Sequence, residues 1–543
     1  MAQSSSGCAT GLASAPAVEH TRPLPRTRRW SLSSVISGRA GDLLVLPALA
    51  ASALVYFAIT RNYFFADDFL NLYNISNYSL LRYLITPNGG HLLVVRNAIF
   101  YLTYLLAGTH PEPYYWSVLL VHLVNVWLLF RVIRTFTGSA HLASFGAALW
   151  GTSPLNEGAL GWYSVFGHVL VATALLIILD QAGAVAARGG VPSRAMRALW
   201  YALALAAATS FGVGISVALT LPVALWLLLP QWRARRRLPP LIFLVVVIPV
   251  LYVVLTWVYI HVSADETVAR APWAKLLDDW RGIAVIFARL MGFGLTRLVL
   301  GAYQPTWLGF TAWYAGLAAF GLLVAAALAG AADEVRRRVA AIGLLLLACY
   351  GMIAAGRAAL LLMAPHDMIS TLFRYHYVGQ LLFTVLLCLL LACISGLPGW
   401  LKHAALTVWY AVMLTLYALL AVPIDTHADA RAATQRALAE MVAAIRAQPP
   451  GSPVTLPNLS FKPLPWYPAV FPGRAAAFVI FFPSNVFEGR QVSFAEPNRH
   501  VIEVTSVGRR TAGLLVPVPP PPAQSRPAPN ASMAPPLAGE RGQ

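Results

Sequence analysis

Apolar runs of about twenty residues recur from Leu43 to Val422, and at 1.5 Å of rise per residue each crosses a hydrocarbon core of roughly 30 Å. No soluble fold tolerates that repetition. The chain is 58% hydrophobic and 11% charged over 543 residues, with a mean hydropathy of +0.65, where a soluble domain carries about 25% charged residues. The sequence therefore predicts an all-α polytopic membrane protein of about eleven transmembrane helices, with external juxtamembrane helices and a small external C-terminal α/β appendage.

The net charge of +18 does not imply a nucleic-acid partner. Most of the basic residues are Arg, and many sit in short clusters between apolar runs, the pattern of cytoplasmic loops. A groove for nucleic acid would need a soluble domain to present it. The cysteines (Cys8, Cys349, Cys388 and Cys393) have no metal-ligand spacing, and three lie within apolar runs.

Charge clusters set the expected topology. Residues 1–42 read as a disordered cytoplasmic tail, and 43–422 as the transmembrane domain. Leu43–Thr60 is the first span, and 61–113 forms a first external loop in which His91–Gly108 lies flat in the interface. Spans follow at Tyr114–Phe130, Ala140–Gly151, Gly161–Leu179, Ala198–Phe211, Val213–Leu229 and Pro240–Val262. A second large external loop, 263–308, is expected to hold interfacial helices, because counting it as a span would put Arg336, Arg337 and Arg338 outside. The remaining spans are Gly309–Gly330, Val339–Leu361, Tyr375–Ser395 and Ala404–Val422. Residues 423–515 form an external segment, with a helix over Asp429–Ala447 and strands over Ala475–Phe482, Gln491–Ala495 and His500–Thr505. From 516 to 543 the chain is Pro-rich and expected to be disordered. The Ala- and Arg-rich composition points to a bacterial inner (cytoplasmic) membrane, with the N-terminus cytoplasmic and the C-terminus extracytoplasmic.

With this topology the polar residues in apolar surroundings gather at one face. Asp67, Asp68, His91, Arg96, Glu157, His168, Arg357, His366, Asp367, Arg374 and His376 all fall at outer span ends or in outer loops. Ionisable groups so placed are functional candidates by default. The adjacent pair Asp67–Asp68, flanked by Tyr63, Phe64, Phe65 and Phe69, suits general-base work. One carboxylate takes a proton from a hydroxyl while the other orients it or helps hold a divalent cation, Mg or Mn. Arg357 and Arg374 suit a phosphate at headgroup level. His122 and Asn125 share a helix face and read as interhelical hydrogen-bonding residues. No phosphate-binding loop, Gly-x-Ser-x-Gly elbow or His-Glu-x-x-His motif is present, so energy must arrive stored in a substrate or a gradient.

Four motifs carry a resemblance. They are Asp67-Asp68 after the first span, His122-Leu123-Val124-Asn125, Ser153-Pro154-Leu155-Asn156-Glu157 before Trp162, and Phe373-Arg374-Tyr375-His376-Tyr377. In order and spacing over residues 43–422 they resemble the GT-C superfamily of polytopic glycosyltransferases, nearest the protein O-mannosyltransferases. The resemblance implies transfer of a sugar, with inversion, from a polyprenyl-phosphate donor to an acceptor hydroxyl on a protein, lipid or glycan at the outer side. It makes Asp67 or Asp68 the base, Glu157 an active-site carboxylate, and Arg374 a phosphate contact. His91, Arg96, His168, Arg357, Tyr375 and His376 are the further candidates for holding substrate and phosphate. Ser153 departs from the pattern, since the family more often has His before Pro, and no tetratricopeptide repeats are present. Two other functions fit the same composition: an envelope glycan polymerase or ligase using a diphosphate-linked donor, and a transporter or flippase, which would instead need ionisable groups near the midplane.

Overall fold

The computed structural model describes residues 41–65, 67–86, 91–230, 280–301, 309–357, 369–394 and 399–419, with isolated positions at 250, 254 and within 431–449, and strands at 453–461, 491–507 and 510–517. The expected span Pro240–Val262 and strand Ala475–Phe482 lie outside the described residues, as do His366 and Asp367.

Among the described residues, six helices are long and apolar enough to cross a membrane. The chain is a helical membrane protein. The first helix, α1 (Val45–Tyr56), carries Pro47 near its start, where the missing N–H costs nothing, and ends in a 3-10 turn, Phe57–Arg61. A pair of short helices follows, α2 (Asp67–Asn77) and α3 (Leu80–Ile85), and then α4 (Val94–Ala107). The 14 residues of α4 span about 21 Å at 1.5 Å each, too short to cross. It buries Arg96, Asn97 and Phe100 and exposes Leu102, Leu105 and Leu106.

The core is built on α5 (Pro111–Thr137), which begins at a Pro and stops at Gly138, whose φ of +71° only glycine adopts readily. Helix α6 (Ala140–Gly151) returns along it. Helix α8 (Gly167–Ala187) runs beside α5 in the same direction, with Asn125 donating to the Val169 carbonyl at 3.0 Å and Arg131 paired with Asp180 at 2.9 Å. That ion pair neutralises Asp180. The hairpin α9 (Arg194–Ala208) and α10 (Gly212–Leu228) packs α10 against α13 (Asp333–Gly356), where the Ser216 hydroxyl meets the Cys349 sulfur at 3.7 Å.

Helix α11 (Trp280–Leu300) lies inside the stretch expected as an outer loop, yet it is long and apolar enough to span. It packs beside α12 (Gly309–Ala329). Arg289 stacks on Phe310 at 4.0 Å, Phe293 on Trp313 at 5.2 Å, and Thr296 reaches Gly316. Residue numbers rise together on both helices, so they run side by side in the same direction. An antiparallel hairpin across a bilayer would show the opposite register. Helix α12 is apolar throughout and buries only Trp313, as a lipid-facing helix would.

Helix α13 starts at Asp333, before the expected Val339. Asp333 and Glu334 suit a helix N-terminus and pair with Arg336 and Arg338, so the helix takes in the basic triplet. Arg338 also donates to the Phe136 carbonyl at 2.5 Å, tying the triplet to the basic end of α5. Helix α14 (Tyr377–Cys393) is almost wholly buried, and α15 (Gly399–Leu419) runs parallel to α6, with His403 on His141 at 4.4 Å and the Tyr410 hydroxyl 3.2 Å from that of Thr152. In the C-terminal part, the two short strands expected near 491–505 form one strand, β2 (Gln491–Val507). It pairs parallel with β1 (Pro453–Phe461) and antiparallel with β3 (Arg510–Pro517).

The end of the bundle remote from Arg338 is locked by a buried polar network. The Gly151 carbonyl can only accept, so His122 Nε2 carries the proton to it at 3.0 Å. Nδ1 then accepts from the Tyr377 hydroxyl at 2.9 Å. Trp150 donates to the Tyr377 carbonyl at 3.1 Å, and Ser153 donates to Gln380 at 2.5 Å. His122 and Asn125 thus join helices, as their shared face implied. Tyr377→Phe should leave His122 Nδ1 buried and unpaired and cost about 1–3 kcal/mol, read as a lower unfolding midpoint of the detergent-solubilised protein. An unchanged midpoint would mean the network is not carrying the helix ends.

Candidate active site

The adjacent carboxylates at the start of α2 face different surroundings. Successive side chains on a helix point about 100° apart, so one Asp enters the protein and the other does not. Asp68 is fully buried. Its Oδ2 accepts from the Phe65 N–H at 2.9 Å, and its Oδ1 accepts from both the N–H and the hydroxyl of Ser164 at 2.6 Å. Burial pushes its pKa up to about 6, against the opposing hydrogen bonds of Ser164 and Phe65 and the charge of Arg431.

Asp67 is half-buried, and no described residue donates a hydrogen bond to its carboxylate. Only its main-chain carbonyl is used, by Asn71 Nδ2 at 2.7 Å. Burial raises its pKa above the ordinary aspartate range, and the charges of Arg374, Arg96 and Arg357 pull it back down. One carboxylate is spent on the fold. The other is open.

Arg96 is 1% exposed, yet among the described residues its guanidinium has one hydrogen bond, from Nη1 to Asn71 Oδ1 at 2.7 Å. Nε and Nη2 are buried without a partner. Leaving charged donors so costs more than the 1–3 kcal/mol of a neutral group, which an anion would recover. The framework around it is firm. Tyr83 donates to Asn71 Oδ1 at 3.3 Å, Asn71 Nδ2 reaches Ser164 Oγ at 3.1 Å, and Asn97 Nδ2 donates to the Tyr83 carbonyl at 3.0 Å.

Arg374 and Arg357 come from the opposite side of the chain. Arg374 lies over Trp162 at 5.2 Å and over Tyr375 at 5.0 Å, and Arg357 over Tyr375 at 5.4 Å. Burial alone would raise the Tyr375 pKa, but the two guanidiniums outweigh it and lower it. The 3-10 turn Phe373–Tyr375 is set by α7 (Glu157–Leu160), because the bare Cα of Gly158 lets the Phe373–Arg374 backbone press against it.

His91 and His168 flank Phe211, at 5.6 and 4.0 Å between rings. Burial and the charge of Arg357 push the His91 pKa down to about 3, so its ring is neutral. His168 is 1% exposed and its Nε2 is buried without a partner among the described residues, within electrostatic reach of Arg374, Arg357 and His91.

The structure therefore gathers Asp67, His91, Arg96, His168, Arg357, Arg374 and Tyr375. Glu157 is 5% exposed and lies near Arg431. His376 is turned away, with Nε2 on the Ser370 carbonyl at 2.9 Å and Nδ1 on the Tyr350 hydroxyl at 3.1 Å. As a cation site the carboxylate pair fits poorly, since both Asp68 oxygens are taken and no group of three or more His, Cys, Asp or Glu gathers among the described residues. Sequence reasoning missed Ser164, Asn71 and Arg431. Asn71 was findable, one turn beyond Asp67 and so on the same helix face. Ser164 and Arg431 carry no local signal.

In comparisons with family models, curated proteins and solved structures, nothing matches the chain.

The two acids should separate by stability alone. Asp68→Asn cannot accept all three hydrogen bonds and should cost about 1–3 kcal/mol, while Asp67→Asn should leave the unfolding midpoint nearly unchanged. The folded pKa of Asp68 is raised from 3.8 to about 6. Its contribution to stability is therefore full below the unfolded pKa and lost as pH rises through the folded one. The wild-type midpoint should fall across that window more steeply than that of Asp68→Asn, as thermal unfolding at stepped pH would show.

Proposed function

We propose that the protein is a membrane glycosyltransferase that moves a sugar from a polyprenyl-phosphate donor to an acceptor hydroxyl at the extracytoplasmic face. The observation that carries this reading is the pairing of one open carboxylate, Asp67, with three arginines, one of them a buried guanidinium with empty donors. An acid alone suits many chemistries, but an acid facing anion-seeking cations suits a base beside a phosphate leaving group.

In the transfer, Asp67 takes the proton of the acceptor hydroxyl as its oxygen attacks the anomeric carbon. The bond from that carbon to the phosphate oxygen breaks, and the electron pair leaves with the polyprenyl phosphate. Arg96, Arg357 and Arg374 offset the charge that develops on that oxygen. Attack from the side opposite the leaving group inverts the anomeric centre. Asp68 does not react. It holds the Phe65–Asp67 turn against Ser164 and so aims Asp67. His91 and His168, neither of them needed for the proton, offer hydrogen bonds to sugar or acceptor.

The topology belongs to the same reading: about eleven spans, the N-terminus and the Arg336–Arg338 end cytoplasmic, and the site and the C-terminal segment outside. The linkage of Arg338 to Phe136, at the end of α5 remote from Asp67, supports it. Three guanidiniums also suit a diphosphate, so a glycan polymerase or ligase with a diphosphate-linked donor is the second reading.

Membranes supplied with radiolabelled polyprenyl-phosphate or polyprenyl-diphosphate sugars test both. The monophosphate should serve, and Asp67→Asn should abolish transfer, whereas labelling that survives that substitution removes Asp67 as the base. Arg374→Lys should lower kcat roughly 10²- to 10³-fold, since a point charge does not replace a fork of donors on phosphate. The rate should rise with pH as Asp67 ionises, with its acid limb above the ordinary aspartate range. Arg374→Gln should move that limb upward, because it removes the largest charge holding the Asp67 pKa down. A pH–rate profile identical in the two proteins would separate Arg374 from the base.

A further inference from the structure

Arg431 lies beyond the last apolar helix, in the segment that follows the membrane domain, yet it is 2% exposed. Its guanidinium stacks on the Phe65 ring at 5.2 Å. The point where a Cβ on Gly161 would sit is 3.0 Å from Glu157 Oε1 and 3.5 Å from Arg431 Nη1, so the acid and the cation are neighbours across Gly161. Phe65 also supplies the N–H held by Asp68, and the residue after Glu157 is the glycine that seats Arg374. Arg431 thus touches both loops that present the two halves of the site. Helix α15 explains how it arrives, since α15 runs parallel to α6 from His403 to Tyr410 and delivers the chain to the end where Thr152 and the Pro154–Asn156 turn lie.

We propose that Arg431 is a positioning residue. The C-terminal segment inserts it between Glu157 and Phe65, and this fixes the Asp67 turn and the Arg374 turn in one geometry. Glu157 then acts as the anchor for Arg431 and takes no proton from substrate. The membrane domain alone does not complete the site. An Arg suits the task, because its planar head stacks on Phe65 while its N–H groups reach a carboxylate.

The inference rests on the transferase reading for its catalytic consequence, and not for the contact itself. Two measurements on the full chain keep these apart. In the first, unfolding midpoints of wild type, Glu157→Gln, Arg431→Gln and the double variant form a cycle. The double variant should lose clearly less than the two single losses combined, and additive losses would overturn the contact. In the second, sugar transfer is measured with Arg431→Ala, Arg431→Lys and the exposed control Arg436→Ala. Arg431→Ala should lower kcat roughly 10²-fold through misplacement of the base, with KM for the donor unchanged. Arg431→Lys should recover part of the rate, and Arg436→Ala should match wild type. A raised KM at normal kcat would overturn positioning in favour of donor contact, and a wild-type rate in Arg431→Ala would overturn the proposal outright. Absence of transfer by the wild type with every donor defeats the transferase reading and the catalytic role together, and the cycle still decides the contact.

Discussion

A buried guanidinium with unfilled donors is the constraint on which the rest of the site end of the bundle depends. Charge taken out of water without full compensation is among the most expensive things a fold can hold. Arg96 is kept in that state by Asn71, Tyr83 and Asn97, whose side-chain hydrogen bonds, that of Asn97 to a main-chain carbonyl, pin α2, α3 and α4 together. Relaxation of that frame would let Arg96 reach water or the nearest carboxylate, and the site would collapse into an ordinary ion pair. Rigidity at the bundle end therefore follows from the electrostatics of the site.

The same logic explains the polar residues deeper in the helices. His122, Tyr377, Trp150, Ser153 and Gln380 satisfy one another and touch none of the cluster's open groups. They tie the middle of α5 to the end of α6 and the start of α14, from which the turns bearing Glu157 and Arg374 emerge. His376 with Tyr350 and Ser370 repeats the pattern of His122, a ring proton given to a carbonyl and a tyrosine hydroxyl given to the ring. Apolar packing alone would leave helix rotation and sliding cheap in lipid, where helices gain little from hydrophobic burial. Specific hydrogen bonds remove that freedom.

How much of this was legible in the sequence follows from the range of each interaction. Helix ends set by local chemistry carry a signal, as at Pro111 and Gly138, although the expected span Tyr114–Phe130 stopped short of both. The start of α13 was misread because the arginine triplet looked like a boundary. Asp333 and Glu334 one turn earlier let the helix absorb it. Helix α4 is too short to span, whereas α11 is long and apolar enough to span although the charge pattern there read as an outer loop. Asp67–Asp68 stood out by position, but which of the two stays open depends on Ser164, distant in sequence and unremarkable in type. Ser153, the departure from the resembled motif, spends its hydroxyl on Gln380. A histidine there would have to serve that network or break it.

The adjacency of the two acids has a physical use that neither residue has alone. Asp68 is bound so tightly that the turn before it cannot rotate, and Asp67 inherits that immobility through one peptide bond while keeping its own oxygens uncommitted. A single acid would have to be either held or available. Placing the held acid one residue after the open one gives both, at the cost of burying a second carboxyl whose pKa rises to about 6. The charges of Arg96, Arg357 and Arg374 then keep the open acid ionisable in a place where burial alone would neutralise it. In the proposed transfer, arginines that hold the phosphate would thereby also prepare the base.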